Sequence, residues 1–170
     1  MNQLTLEKLN LKPNDYILEI GFGGGALLEM ILLKEKGIKL AGLDLSQEMI
    51  SAAQRRLGTE LDLKQGDVEK IPYPNNHFTK ICSVNTLYFW KNPNLALKEC
   101  HRVLKPDGLL VICFNSKEDL TQWPAHRHGF QLYTIEEATR LFENAGFHQV
   151  ASHNAQDPSQ GLIHLVTGIK

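Results

Sequence analysis

A short apolar run that ends in an acidic residue and a cluster of glycines constrains this chain more than any other feature. Residues 16–20 read Tyr-Ile-Leu-Glu-Ile, residues 21–25 read Gly-Phe-Gly-Gly-Gly, and a segment with helical character follows. The pattern predicts a buried strand that turns sharply into a helix. Glycine serves where φ is positive or where a side chain would keep a ligand from the backbone. Because the first N–H groups of a helix lack partners within it, this turn favours a polar ligand.

Strand and helix patterns alternate along the chain of 170 residues. Strands are predicted near residues 16–20, 38–43, 61–65, 78–84 and 109–114, and helices near residues 4–11, 25–36, 46–57, 93–104 and 134–144. Five alternations predict an α/β fold with a doubly wound, mostly parallel sheet. The last two predicted strands, 147–152 and 162–169, have no room for a helix between them and must pair as an antiparallel hairpin.

The length fits a single domain that spans residues 1–170. Within it, residues 115–132 show no clear periodicity. Irregular segments of that length in compact domains are usually functional lids or disordered, and we predict a lid there.

Composition excludes several classes of function. The formal net charge of -1 offers no basic field for nucleic acid or for anionic lipid. The longest apolar runs fall far short of the roughly 20 residues of a membrane span, and residues 1–4 do not start a signal peptide. The cysteines (Cys82, Cys100 and Cys113) lie in apolar segments without metal-ligand spacing. They predict reduced thiols in the cytoplasm and no metal site.

Three acidic residues follow or end successive strands. Glu19 lies near the end of the first strand, Asp44 ends the second and Asp67 comes just after the third. Ligands of such sheets bind at the carboxyl ends of the strands. Asp44 follows Gly21 by about 20 residues, the spacing at which a carboxylate bonds ribose hydroxyls. Asp67 is placed to accept a hydrogen bond from an exocyclic amine such as that of adenine. The side chains expected to wall a flat base are Leu45, Met49 and Val68.

The glycine turn also satisfies a dinucleotide-binding pattern. Residues 21–26 fit G-x-G-x-x-A, with Asp44 as the ribose acid. This match keeps a nicotinamide-dependent oxidoreductase open as an alternative. Three features argue against it. A carboxylate at Glu19 suits a cationic amino-acid group better than a pyrophosphate, and Asp67 has no role in dinucleotide binding. The terminal hairpin also does not belong to a six-stranded parallel sheet.

Four segments, in order, resemble the motifs of class I S-adenosylmethionine-dependent methyltransferases. They are residues 17–25, 42–49, 66–73 and 98–110, and the last resembles the branch that contains quinone-biosynthesis and other small-molecule enzymes. The resemblance implies S-adenosylmethionine as the cofactor. It also implies a Rossmann-like, seven-stranded sheet of order 3-2-1-4-5-7-6 with strand 7 antiparallel.

The resemblance further implies roles by position. The methionine part of the cofactor would be held by Glu19 and the backbone of Gly21, Gly23 and Gly25, the ribose by Asp44, the adenine by Asp67 with Val68, and the transferred methyl would lie beside Asn85.

The sequence departs from the family at several points. Phe22 stands where a small residue is common, which predicts a tighter turn or a displaced cofactor, and Thr79 replaces a frequent aspartate. The chain begins close to its first strand, so the acceptor site is expected to be open, completed by another subunit, or formed by the segment 115–132. A monomer or a homodimer is expected.

Methyl transfer from a sulfonium needs alignment and exclusion of water rather than an obligatory acid or base. The candidates for a catalytic role are Asn85, Tyr88, His126 and His128. The sequence predicts methylation of a small molecule and leaves O-, N- and C-methylation open. A nucleoside-binding module of the same fold without turnover is the other alternative.

Overall fold

A computed structural model describes residues 1–121, 131–157 and 161–170. Its strands are β1 Tyr16–Ile20, β2 Lys39–Asp44, β3 Asp62–Gln65, β4 Phe78–Val84, β5 Leu104–Asn115, β6 His148–Asp157 and β7 Gly161–Ile169. Its helices are α1 Asn2–Leu9, α2 Ala26–Lys34, α3 Gln47–Leu57, α4 Pro93–Val103, α5 Lys117–Thr121 and α6 Ile135–Asn144, with single 3-10 turns at Val68–Lys70 and Leu87–Phe89.

The strands form one seven-stranded sheet of order β3-β2-β1-β4-β5-β7-β6. Strands β1 to β5 pair in parallel, while β7 is antiparallel to both β5 and β6. The predicted fold class, strand order and terminal hairpin are therefore confirmed. Ile20 lies level with Leu43 on one side and Ser83 on the other, so the carboxyl ends of β1, β2 and β4 meet at one edge.

Alternation along the central strands divides the core between the two faces of the sheet. Leu18, Ile20 and Ile112 belong to one buried cluster, whereas Ile17 and Val111 belong to the other. Helices α4 and α6 contribute to the first cluster and helices α1, α2 and α3 to the second. Both faces are thus covered, as a parallel sheet requires. All three cysteines are buried and free.

A buried ion pair fixes the amino-terminal edge of the sheet, opposite the glycine turn. Lys80 Nζ lies 2.5 Å from Asp15 Oδ2 and donates to the carbonyl of Asn10 at 2.7 Å. Thr79 Oγ1 donates to the other Asp15 oxygen at 2.8 Å. The threonine that departs from the family pattern is therefore part of this polar cluster.

The segment predicted to be an irregular lid is partly regular. Asn115 is the last residue of β5, and Lys117–Thr121 forms the short helix α5. The N–H of Leu120 donates to the carbonyl of Ser116, and the Leu120 side chain is buried in the core. The prediction of irregular structure is wrong there, because five mostly polar residues are too few to display a helical period. The rest of the predicted lid, residues 122–130, lies outside the described part of the chain.

Candidate functional site

The glycine turn after β1 has the geometry that its sequence predicts. Gly21 has φ 67° and its N–H donates to the carbonyl of Leu43 at 2.7 Å. A Cβ atom at Gly21 would lie 2.3 Å from Cγ2 of Thr86, so a side chain cannot be accommodated. Gly23 has φ 53°, and a Cβ atom there would meet nothing within 4 Å. The space beside the Gly23 Cα is therefore open, while its N–H is donated to Asp44.

Phe22 turns away from this opening. Its side chain is buried, and a Cβ atom at Gly42 would lie 2.6 Å from the Phe22 ring. The absence of a side chain on β2 thus makes room for the ring within the core. Phe22 is not among the residues that line the adjacent cavity. The bulk at this position is accommodated by Gly42, and the expected tightening of the turn is not needed.

Asp44 and Asp67 lie at neighbouring strand ends and hold the loops that follow. Asp44 accepts the N–H of Gly23 with Oδ2 and the N–H of Ser46 with Oδ1, each at 2.9 Å. Asp67 Oδ1 accepts the N–H of Glu69 at 2.9 Å and starts the first 3-10 turn. A carboxylate offers about four lone-pair positions, so each side chain retains capacity for a ligand.

A cavity of about 400 Å³ opens at this carboxyl edge. It is lined by Ile20, Gly21, Leu43, Asp44, Leu45, Gly66, Asp67, Val68, Glu69, Val84, Asn85, Thr86, Phe89, Trp90 and Lys91. Leu45 is 68% exposed and Phe89 is 60% exposed, so both offer apolar surface at the mouth. Three carboxylates and one ammonium line the cavity, which favours a ligand that carries positive charge.

Glu19 lies behind the turn rather than in the cavity lining. It is 3% exposed, and its Oε2 has no hydrogen-bond partner among the described residues. Burial raises the pKa of Glu19 to about 8, the Leu28 N–H in the first turn of α2 opposes that shift, and the charge of Asp44 adds to it. Gly25 at the N-cap position of α2 has no side chain to accept a hydrogen bond. The Glu19 carboxyl accepts one instead, from the N–H of Leu28 in the first turn of the helix.

Asn85 brings a second unsatisfied oxygen to the site. It follows β4 with φ 58°, a conformation that is uncommon for a residue with a side chain. Its N–H donates to the carbonyl of Cys113 at 2.8 Å, which fixes the residue against β5. Its side-chain oxygen is buried without a hydrogen-bond partner among the described residues, and Asn85 lines the cavity.

The predicted cofactor residues divide into two groups. Those that line the cavity are Gly21, Asp44, Leu45, Asp67, Val68 and Asn85. Those that do not are Glu19, Gly23, Gly25 and Met49. Gly23 binds Asp44 directly, whereas Gly25 packs at the start of α2 close to Leu57 and Ala53. Met49 is 36% exposed and its N–H donates to the Ser46 hydroxyl that caps α3.

Of the catalytic candidates other than Asn85, none is found in the cavity lining among the described residues. Tyr88 is buried outside the cavity lining, where burial raises its pKa to about 12, and its ring packs on Phe89. His126 and His128 lie outside the described residues. Glu69, Thr86 and Lys91 also line the cavity, and none of them was predicted from the sequence. Thr86 follows the end of β4 closely, and strand-end position is the signal that would have found it.

Two kinds of feature are absent from the described residues. No group of three or more histidine, cysteine, aspartate or glutamate side chains there is arranged to hold a metal ion. Within the same residues, none of the helices has the length and apolar character needed to cross a membrane.

Comparison with known proteins identifies relatives of this chain. A family model described as a methyltransferase domain matches residues 18–112. The Bacillus subtilis (strain 168) protein named uncharacterized methyltransferase YdaC is 35% identical over 119 residues, which are 69% of this chain and 66% of YdaC. The chain therefore spans just under two thirds of that relative's length.

A second relative and a solved structure agree with this match. The ubiquinone/menaquinone biosynthesis C-methyltransferase UbiE of Neisseria meningitidis serogroup C is 26% identical, covering 98% of this chain and 79% of UbiE. A SAM-dependent methyltransferase from Aquifex aeolicus shares the fold with a TM-score of 0.80 at 24% identity, covering 99% of this chain and 88% of that one. Because the family model covers more than half of the chain, the protein belongs to the class I S-adenosylmethionine-dependent methyltransferases.

Proposed function

We propose that this protein transfers the methyl group of S-adenosylmethionine to a small molecule. The observation that carries the proposal is that Asp44 and Asp67, from two neighbouring strand ends, line one cavity beside the open glycine turn. The relatives support methyl transfer, and one of them is named for methylation in quinone biosynthesis. The comparisons give no support to an oxidoreductase or to a module without turnover.

The residues present fit an adenosine-bearing cation. The space beside Gly23 is open, the Asn85 side-chain oxygen lacks a donor among the described residues, and three acidic side chains in the lining outnumber one basic side chain. In the proposed arrangement Asp44 would accept the ribose hydroxyls and Asp67 the exocyclic amine of adenine. Leu45 and Val68 would lie against the base, and the glycine turn would face the methionine part.

When bound, the sulfonium supplies a methyl group that is already activated for attack. The protein then has to align a nucleophile with the methyl and exclude water from the approach. Trp90 is buried and Phe89 is largely exposed in the cavity lining, so they supply apolar surface for the acceptor. The carboxylates of the lining have other partners in this proposal, Asp44 and Asp67 on the nucleoside and Glu69 on the N–H of Asn92, so transfer is proposed to proceed by positioning of the acceptor.

We extend the proposal to the setting of the enzyme. Three buried, free cysteines support a cytoplasmic location, where thiols stay reduced. Residues 1–170 are proposed to form one methyltransferase domain, with residues 115–132 contributing a cover for the acceptor. A monomer or a homodimer remains the prediction, which light scattering on the purified protein tests.

Calorimetry and a transfer assay together test the proposed function. Titrations with S-adenosylhomocysteine, S-adenosylmethionine and NAD are expected to show binding of the two sulfur compounds only. Transfer of a labelled methyl group to members of a metabolite panel then distinguishes an enzyme from a binding module. Binding of NAD without binding of either sulfur compound would contradict the proposal.

A further inference from the structure

One arginine outside the cavity uses every donor that it has, mostly on the segment that follows the cavity wall. Arg102 lies on α4, and all five of its guanidinium N–H groups are used. The bonds run to Glu99 Oε1 at 2.7 Å and Oε2 at 2.8 Å, and to the Ile71 carbonyl, the Tyr73 carbonyl and Asn75 Oδ1, each at 2.9 Å. Three of the five therefore end on the segment 71–75.

The segment held by Arg102 continues the wall of the cavity. Residues 66–69 line the cavity, and residues 71–75 follow directly after the 3-10 turn. Residues 71–75 belong to no strand, and Pro72 and Pro74 have no N–H group to donate. The carbonyls of Ile71 and Tyr73 both accept from Arg102, and the Ile71 carbonyl also accepts the N–H of Tyr73 at 2.8 Å.

Glu99, also on α4, binds the segment 71–75 as well. Its Oε2 accepts the N–H of Ile71 at 2.9 Å as well as the guanidinium of Arg102. The hydrogen bond from Arg102 keeps the pKa of Glu99 below its ordinary value despite partial burial. Farther along, Glu69 Oε1 accepts the N–H of Asn92 at 2.7 Å, which joins the wall to the start of α4.

We propose that Arg102 and Glu99 are positioning residues that set the wall for the base end of the cofactor. The inference rests on the proposed function, because it needs a base between Asp67 and the opposite wall. Neither residue lines the cavity, so each acts through the main chain of the segment 71–75. A planar guanidinium that binds a carboxylate and two carbonyls at once has no substitute in lysine, whose ammonium is a point charge.

The test measures base recognition in Arg102→Lys. Dissociation constants are measured by calorimetry for S-adenosylhomocysteine and for S-inosylhomocysteine, in which a carbonyl replaces the exocyclic amine. The wild type is expected to prefer the adenine compound by about tenfold, as one hydrogen bond allows. Arg102→Lys is expected to weaken binding of the adenine compound by about tenfold and to remove most of that preference.

Two further variants make the result specific. Arg56→Lys is the matched control, since Arg56 pairs with Glu29 on the exposed surface and touches no residue of the wall. It is expected to leave both dissociation constants unchanged. Glu99→Gln keeps the size of its side chain and is expected to reproduce the loss of preference, which covers the case that Arg102→Lys does not fold.

The outcomes separate this inference from the proposed function. Unchanged constants in a folded Arg102→Lys overturn the inference, as does an equal loss for both ligands, which would indicate general destabilisation. A wild type that binds both compounds equally also overturns it, because the wall then recognises no exocyclic amine. A wild type that binds neither compound contradicts the proposed function, and the inference with it.

Discussion

At the residue scale, Asp44 has two tasks in one carboxylate. It holds the N–H of Gly23 and the N–H of Ser46 while it lines the cavity. Asp44→Ala is expected to weaken binding of S-adenosylhomocysteine by roughly 1.5–3 kcal/mol, because charge-assisted hydrogen bonds to the ribose are lost. Calorimetry measures the change, with the exposed Glu60→Gln as the control. An unchanged dissociation constant in a folded variant would argue against the ribose assignment.

The raised pKa of Glu19 predicts how the free energy of unfolding depends on pH. Its pKa in the folded protein is about 8, above the ordinary value of 4.5, so the folded state holds a proton that the unfolded chain releases. Stability therefore falls as the pH rises from 4.5 to about 8. Glu19→Gln retains an acceptor for the Leu28 N–H and removes the titration.

The expected result for Glu19→Gln is a flatter dependence of the free energy of unfolding on pH across that range. Urea unfolding of the free protein at a series of pH values measures it, with Glu60→Gln again as the control. Identical pH profiles for the variant and the wild type would show that Glu19 does not carry the proton.

At the scale of elements, the polar cluster at the amino-terminal edge joins α1 to β4. Lys80 bonds the last turn of α1 through Asn10 and pairs with Asp15, and both charged side chains are 9% exposed. Lys80→Met is expected to lower the free energy of unfolding by about 3–5 kcal/mol, because Asp15 is left as an uncompensated buried charge. Urea unfolding at neutral pH measures it.

A surface pair provides the comparison for this prediction. Arg56 and Glu29 are 46% and 38% exposed, so Arg56→Met is expected to cost less than about 1 kcal/mol. Although burial opposes it, hydrogen bonds from Lys80, Lys12 and Thr79 lower the pKa of Asp15 below 3.8. The contribution of Asp15 is thus present above that pH and lost as the pH falls below it. Equal losses in the two variants would contradict the buried-pair argument.

Elements differ in how far their sequence predicts them. The strand that enters the glycine turn is predictable because its apolar run and its glycines act locally, and Asp44 and Asp67 follow from strand-end position. The contact of Thr86 with Gly21 joins residues distant in the chain, so no local pattern indicates it. Helix α5 is missed for a different reason, since its position depends on burial of Leu120 in the tertiary core.

The difference between local pattern and tertiary arrangement also explains why some predicted site residues lie outside the cavity lining. Glu19 is adjacent to the turn in sequence, but on β1 it alternates with Leu18 and Ile20, so its side chain lies on the other face. Met49 has the helical spacing of a wall residue, yet its N–H binds the Ser46 cap and its side chain is not in the cavity lining. Both outcomes depend on side-chain direction, which spacing alone does not give.

At the scale of the whole molecule, the cofactor is expected to contribute to the stability of the fold. The proposed ligand contacts the ends of β1, β2 and β4 and the loop after β3, so it binds the folded chain and not the unfolded one. At a free concentration of 100 times its dissociation constant, such a ligand adds about 2.7 kcal/mol. For a chain of this length the expected rise in Tm is about 5–10 °C.

Differential scanning calorimetry with increasing S-adenosylhomocysteine measures that rise, which should grow with the logarithm of the concentration. NAD is the matched control, since it carries the same adenosine but a pyrophosphate in place of the amino acid. The acidic surroundings of the glycine turn favour the ammonium group of the amino acid and repel a pyrophosphate, so NAD is expected to leave Tm unchanged. A rise with NAD that equals or exceeds the rise with S-adenosylhomocysteine would mean that the cavity selects adenosine alone, and the methionine part would then have no binding site at the turn.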